Sequence, residues 1–236
     1  MPDALSDGAE HLGITLDDSQ LMLFEEYSRL LVDWNKKVNL TRIPASDFVP
    51  LHFLDSLSVV QLLDSQSDGE SLIDIGTGAG FPAIPLKIAC PKLLVTCLDS
   101  TRKKLNFIQT VIDSLSLKGI SVMHARAEEA AHDSRYREKF DISTARAVAR
   151  LDALAEYMLP FVKVGGMAIA LKGKEAHGEA EEARQAVKNM GAEIAEIRAV
   201  EIPGSDVERN LVIVKKLKAT QKKYPRAGNQ IKRKQA

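Results

Sequence analysis

The apolar positions divide the chain into two regimes. From Ser19, the residues Leu21, Phe24, Tyr27, Leu30, Leu31 and Trp34 recur at helical steps and form one face, with Asp17, Asp18 and Ser19 as candidate N-caps. A second apolar run, Leu51 to Leu63, follows "IPASDFVP" and also reads as helix. The polar stretch "DSQSDGE" at 64–70 marks a boundary. Residues 1–69 are therefore expected to be a helical extension, and residues 70–236 a second unit.

Beyond the boundary the period changes. Strand-like runs fall at 71–75, 93–98, 120–124, 140–144, 166–171, 193–200 and 209–216. Helix-like runs fall at 82–90, 101–116, 150–159 and 175–190, with a short one around 127–138. Strands alternating with helices predict an α/β fold, a parallel sheet covered on both faces. The last two strands are separated only by "PGSDVE", too short for a crossover helix, so they are expected to pair antiparallel.

Composition narrows the class without naming a function. The chain has 236 residues, 45% hydrophobic and 27% charged, the profile of an ordinary globular protein. No apolar run approaches the roughly 18 residues that span a bilayer. The start "MPDALSDGAEH" has no basic region ahead of an apolar one, so no secretory signal and a cytoplasmic protein are expected. Cys90 and Cys97 match no metal spacing and read as small buried residues. The five histidines show no ligand pattern, so no metal is expected.

Charge adds one asymmetry. Of 32 Lys and Arg, ten fall in residues 209–236, which contain no acid, so the first 208 residues carry 22 bases against all 32 acids. A basic tail on an acidic body suits a polyanion partner, and equally suits a solvated, solubilising arm. If the tail is an RNA-binding arm, truncation after Leu217 should flatten the salt dependence of binding and leave cofactor affinity almost unchanged.

The candidate chemistry centres on "LIDIGTGAGFPAIPLKIA", residues 72–89: a strand, three alternate glycines and a helix start. In an open α/β sheet such a turn faces the ligand crevice. Gly76, Gly78 and Gly80 permit unusual dihedrals and close ligand approach. The spacing is G-x-G-x-G, and Phe81 occupies the place of the third dinucleotide-fingerprint glycine, where its ring obstructs pyrophosphate docking. A nucleoside with an uncharged linker, S-adenosylmethionine, suits the turn better than a nicotinamide dinucleotide. Asp99, at the second strand end and 23 residues after Gly76, is placed for ribose hydroxyls or for a helix cap. Ala127 and Glu128 follow the third strand, where adenine would lie, although an acid there also complements a helix dipole. Arg146 ends the fourth strand and offers a fork of donors to cofactor carboxylate or substrate, or to a surface acid. The Asn/Asp-Pro-Pro-aromatic motif of amine methylation is absent there, and neither cysteine is placed as a nucleophile.

Several further segments occur in order: "WNKKVNLT" (34–41), "HFLDSL" (52–57), "DIGTGAGFPAIPLKI" (74–88), "LDSTRKKLNFI" (98–108), "RAEE" (126–129), "TARAVARL" (144–151), "LKGK" (171–174), "ERNLVIVKK" (208–216) and "KKYPRAGN" (222–229). Together they resemble the bacterial ribosomal RNA small-subunit methyltransferase G family, also called glucose-inhibited division protein B, over roughly residues 20–229. The resemblance implies a class I methyltransferase fold, a mostly parallel seven-stranded sheet with an antiparallel last strand and a helical N-terminal extension. It implies methyl transfer from S-adenosylmethionine to N7 of a guanine in 16S ribosomal RNA. It also implies cofactor contacts at Gly76, Phe81, Ala127, Glu128 and Arg146, with Asp99 matching the acid of the second strand end.

The resulting expectation is an enzyme that acts as a monomer on 16S ribosomal RNA or the small ribosomal subunit, without a general base. Its cofactor-binding residues are Gly76, Gly78, Gly80, Phe81, Asp99, Ala127, Glu128 and Arg146. Its candidate RNA contacts are Arg146, Lys172, Lys222, Lys223 and Arg226. The rival from another class is a non-catalytic, S-adenosylmethionine-sensing RNA-binding protein.

Overall fold

The computed structural model describes residues 1–63 and 69–233, and the side chains of those residues up to Ile231. Most of the boundary expected at 64–70, and the side chains of Lys232, Arg233 and Lys234 in the basic tail, lie outside the described residues.

The extension opens with α1 (Pro2–His11) and α2 (Asp18–Asn35). Asp17 caps α2 in a reciprocal box: its carboxylate accepts from Gln20 N at 2.8 Å while Gln20 Oε1 accepts from Asp17 N at 2.9 Å. The run expected as one helix over 51–63 changes pitch instead. A π-helical turn (Val49–Leu54) passes into α3 (Asp55–Leu57) and then into a 3₁₀ stretch (Ser58–Leu62). The wider first turn places His52, Phe53 and Leu54 inward together.

The sheet follows: β1 (Ser71–Ile75), α4 (Ala83–Ala89), β2 (Leu94–Asp99), α5 (Arg102–Ser114), β3 (Ile120–His124), α6 (Ala127–Ala130), β4 (Phe140–Arg146), α7 (Leu151–Met158), β5 (Val162–Lys172), α8 (Ala176–Asn189), β6 (Ala192–Val200) and β7 (Arg209–Lys216). Two bounds differ from expectation by more than two residues. The helix read over 127–138 is one turn, α6, followed by turns. Strand β5 begins at Val162, because the glycines at 165 and 166 sit in a register shift, between the pairs Phe140–Val162 and Ile142–Met167, and do not end the strand.

The strand order is β3-β2-β1-β4-β5-β7-β6. Strands β1 to β5 pair in parallel, and β7 runs antiparallel to both β5 and β6, as the short β6–β7 connection requires. Chain order reverses between β1 and β4, so the crevice for a ligand opens beyond the carboxyl ends of these strands.

One face of the sheet is covered by α4, α5 and the extension. Leu5, Phe24, Tyr27, Leu31 and Phe53 share a core there with Leu72, Ile84, Phe107 and Ile142. The opposite face packs Leu154, Met158, Ala183 and Val187 from α7 and α8 against Ile73, Ala168 and Val212. The chain then continues to α9 (Gly228–Arg233), and Ile231 is buried in that second core. Cys97 is buried, while Cys90 is only half-buried.

Candidate active site

The glycine turn is held from three sides. Within it, Gly80 N and Phe81 N donate to Thr77 O at 2.9 and 3.1 Å, and Thr77 N donates to Leu98 O at 3.0 Å, tying the turn to β2. From the extension, the buried Tyr27 hydroxyl donates to Ala79 O at 2.6 Å. Asp99 supports it from the β2 end: Oδ2 accepts from Gly78 N at 3.0 Å and Oδ1 from Thr101 N at 2.8 Å. Gly78 has φ +61, a left-handed conformation that a side chain disfavours. Beneath the turn, the fully buried Asp74 accepts from Thr144 Oγ1 at 2.9 Å. Burial raises its pKa to about 7, against the hydrogen bond from Thr144 that lowers it.

Beyond the ends of β1, β2 and β3 lies a cleft of about 360 Å³, within the roughly 300–1,000 Å³ range of small-molecule sites. Of the residues expected to bind cofactor, Gly76, Asp99, Ala127 and Glu128 line it together. Gly78 and Gly80 shape the turn behind Gly76 without lining the cleft. The walls also include Leu98, Lys104, Val148 and Tyr157, which sequence reasoning missed. Tyr157 carries no local motif and reaches the cleft only because α7 packs beside α6.

Phe81 and Arg146 are brought together elsewhere. The Phe81 ring lies against the extension, stacked on His52 at 4.1 Å between centroids and 9° between planes. The Arg146 guanidinium covers the same ring at 4.9 Å. These side chains adjoin a second cleft of about 340 Å³, lined by His52, Asp55, Arg146, Lys172 and Arg209 among others. Ala147 lines both clefts, at φ +55.

The polar groups of this second cleft form one network. Asp55, 1% exposed, accepts from Arg146 Nη1 at 2.7 Å on one oxygen and from Arg209 Nε at 2.8 Å on the other. Arg146 also donates to Leu51 O at 3.1 Å and to His52 Nδ1 at 2.9 Å. Because His52 Nδ1 accepts from an arginine, its proton is on Nε2, which donates to Thr41 Oγ1 at 2.8 Å. His52 is therefore a neutral imidazole. Burial and then the Arg146 charge push its pKa down to about 3. His52, Asp55 and Arg209 line this cleft although the sequence did not single them out. Their signal was present in "HFLDSL" and "ERNLVIVKK", but nothing local showed that residues 154 apart share one carboxylate.

The predicted RNA contacts separate. Lys172 lines the second cleft, but its ammonium is engaged by Ala149 O at 2.7 Å and Glu179 at 2.6 Å. Lys222 and Lys223 are exposed. Arg226 is turned inward: its side chain pairs with Glu156, which is 2% exposed, and its backbone N–H donates to the same carboxylate at 3.0 Å. The tail is thus not the separable arm that the sequence suggested. Arg137 donates to the carbonyls of Thr220, Gln221 and Tyr224 at 2.9 to 3.2 Å, and the buried Lys216 ammonium donates to Thr220 Oγ1 at 2.6 Å. Charge and composition show basicity but not where a segment docks.

Among the described residues, no cluster of three or more His, Cys, Asp or Glu is placed to hold a metal ion, and no helix is long and apolar enough to cross a membrane.

Known proteins share this chain's architecture and sequence. A methyltransferase from Aquifex aeolicus, described as SAM dependent, superposes with a TM-score of 0.52 at 17% identity, covering 71% of this chain and 92% of that one. The structure of M. jannaschii TYW2 in complex with AdoMet gives a TM-score of 0.50 at 14% identity, covering 64% of this chain and 71% of that one. At those identities the likeness establishes the fold, a class I methyltransferase sheet. Sequence relatives reach further. A protein of Thermoanaerobacter sp. (strain X514) named Ribosomal RNA small subunit methyltransferase G is 48% identical over 98% of this chain and 96% of its own length. One of the same name from Acetivibrio thermocellus is 48% identical over 94% and 91%. Residues 20–212 match the family described as rRNA small subunit methyltransferase G. With the family model matched over residues 20–212 and relatives 48% identical over nearly their full length, the chain belongs to the rRNA small subunit methyltransferase G family.

Proposed function

We propose that the protein transfers a methyl group from S-adenosylmethionine to N7 of a guanine in 16S ribosomal RNA, acting as a cytoplasmic monomer on the small ribosomal subunit. The observation that carries this reading is the junction of the two clefts at Ala147, within a chain of this family. One cleft suits a nucleoside and the other, bordered by two arginines, suits a nucleotide.

The residues of the first cleft fit the cofactor. The Asp99 carboxylate lines it with lone pairs beyond the two backbone N–H groups, free to accept from ribose hydroxyls. Ala127 and Glu128 offer a backbone and a carboxylate to the adenine edge, and Leu98 gives the ring an apolar wall. Gly76 lets the ligand approach the backbone, while Gly78 and Gly80 hold the turn. When bound, S-adenosylmethionine supplies an electrophilic methyl group on a sulfonium sulfur.

Arg146 and Phe81 would border the methyl end, and Arg146 and Arg209, both aimed by Asp55, would receive the target nucleotide. Lys222 and Lys223 would contribute charge toward RNA phosphates, while Lys172 is engaged by Glu179. Arg226 is committed to Glu156 and contributes to the tail's docking instead. Guanine N7 lies on the major-groove edge, deep and narrow in A-form RNA, so the target must sit in a loop or be flipped out. Its lone pair is in the ring plane and unprotonated at neutral pH, so no residue need remove a proton. The neutral, fully engaged His52 agrees with a mechanism of alignment.

The test uses labelled S-adenosylmethionine and small subunits lacking the modification. Label should enter 16S RNA at a guanine that becomes sensitive to borohydride and aniline cleavage, the signature of N7 alkylation. Cofactor bound without label in RNA would make the protein a sensor, and label at a cleavage-resistant nucleotide would overturn the N7 assignment.

A further inference from the structure

The C-terminal segment crosses the molecule to reach Glu128, a residue of the nucleoside cleft wall. It leaves β7 where Thr220 is fixed at the amino end of β5, through Lys216, Glu138 and the Met190 carbonyl. It passes under Arg137, and Pro225 O is 2.9 Å from His132 Nε2. Arg226 then anchors it on buried Glu156 of α7, one residue from Tyr157 in the cleft wall. Ile231 closes the path in the core. Between these two anchors Gly228 lies against the Glu128 carboxylate, so closely that a Cβ would overlap Oε1. The atoms met are the far end of a flexible side chain, so a methyl there would move Glu128 rather than break the fold.

We propose that this segment, residues 218–231, braces the wall of the cofactor cleft from behind its lining, and that Gly228 is a positioning residue that sets Glu128 against the adenine edge. The inference rests on the assignment of this cleft to S-adenosylmethionine. The segment that charge alone would assign to RNA thereby controls recognition of the cofactor's base. Arg226 and Glu156 hold the register: a shift of the tail by one residue would bring Ala227 or Asn229, each with a side chain, to the position that Gly228 leaves open.

The experiment compares binding of S-adenosylhomocysteine with that of S-inosylhomocysteine, whose base carries an oxygen where adenine carries its amine. Titration calorimetry is run on the full chain, with thermal unfolding as a check on the fold. A hydrogen bond from the amine to a charged acceptor corresponds to roughly ten- to hundredfold in affinity. The wild type should prefer the adenosyl ligand by that factor. Gly228→Ala and Glu128→Gln should each collapse the preference toward unity, and the double variant should be no worse than either single one. The pair Arg226→Gln with Glu156→Gln, which leaves no uncompensated buried charge, should reduce the preference as well and covers the case in which Gly228→Ala fails to fold. Retention of the wild-type preference in a folded Gly228→Ala or in the amide pair overturns the proposal. A wild type that binds both ligands equally overturns the Glu128 contact, and with it the role of the tail. A wild type that binds neither overturns the cofactor assignment itself.

Discussion

His52 is the histidine that faces the proposed site of methyl transfer, and its protonation is set by its partners. With a folded pKa of about 3 against 6.5 when exposed, it contributes stability in full above about pH 6.5. That contribution is lost as pH falls toward 3. Throughout the neutral range it holds Arg146 as an acceptor and has no second proton to give. Single-turnover methylation should therefore be nearly flat between about pH 6.5 and 8.5, where an exposed histidine would titrate. A steep rise through neutrality that disappears in a His52→Gln variant still binding RNA and cofactor would contradict this. Asp74 has the opposite sign. Its pKa is raised to about 7, so its contribution is full below about 3.8 and is lost as pH rises through 7. It lines neither cleft, so its titration should alter stability and leave the chemistry unchanged. Asp74→Asn should gain in melting temperature relative to wild type as pH is raised from 5 to 8. A constant difference across that range would show that Asp74 is ionised throughout.

At the scale of elements, the turn between β1 and α4 depends on backbone conformation more than on space. A Cβ at Gly78 would meet only Gly76 O, at 3.8 Å. The obstacle is φ +61, which costs an L-residue roughly 1–2 kcal/mol, and more when β-branched. Gly78→Val would relieve this by rotating the peptide whose N–H now holds Asp99, so the proposed ribose acceptor would move with it. Affinity for S-adenosylmethionine should fall at least tenfold while circular dichroism reports a folded protein. Unchanged affinity by calorimetry in the folded variant would remove the turn from the site. Tyr27 braces the same turn from α2, so a helix distant in sequence helps to hold it in place.

For the whole molecule, the tail is integral to the second core. Truncation after Leu217 would leave Glu156 buried without Arg226, and Arg137 without the carbonyls of Thr220, Gln221 and Tyr224. Removing one partner of a buried ion pair costs about 3–5 kcal/mol, a large part of the 5–15 kcal/mol typical of a domain. The truncated chain should melt at a markedly lower temperature and bind cofactor weakly. The expectation from charge alone, a flatter salt dependence with cofactor affinity intact, would be restored only if melting temperature and affinity both matched the full chain.

What the sequence by itself determined is what depends on neighbours along the chain. The 2-residue and helical periods placed seven strands and the main helices. The short "PGSDVE" connection required an antiparallel ending, and strand–glycine turn–helix marked the crevice, with Gly76, Asp99, Ala127 and Glu128 lining it. These are local signals, because backbone dihedrals and strand-end positions are fixed within a few residues. Tertiary structure alone decided the pairings across long separations. Asp55 joins Arg146 and Arg209, Phe81 turns to His52, and Arg226 finds Glu156. A charged side chain reads the same in sequence whether it faces water, phosphate or a buried carboxylate. The choice is made by which acids the fold has already buried, since a desolvated charge must be paired wherever along the chain its partner lies.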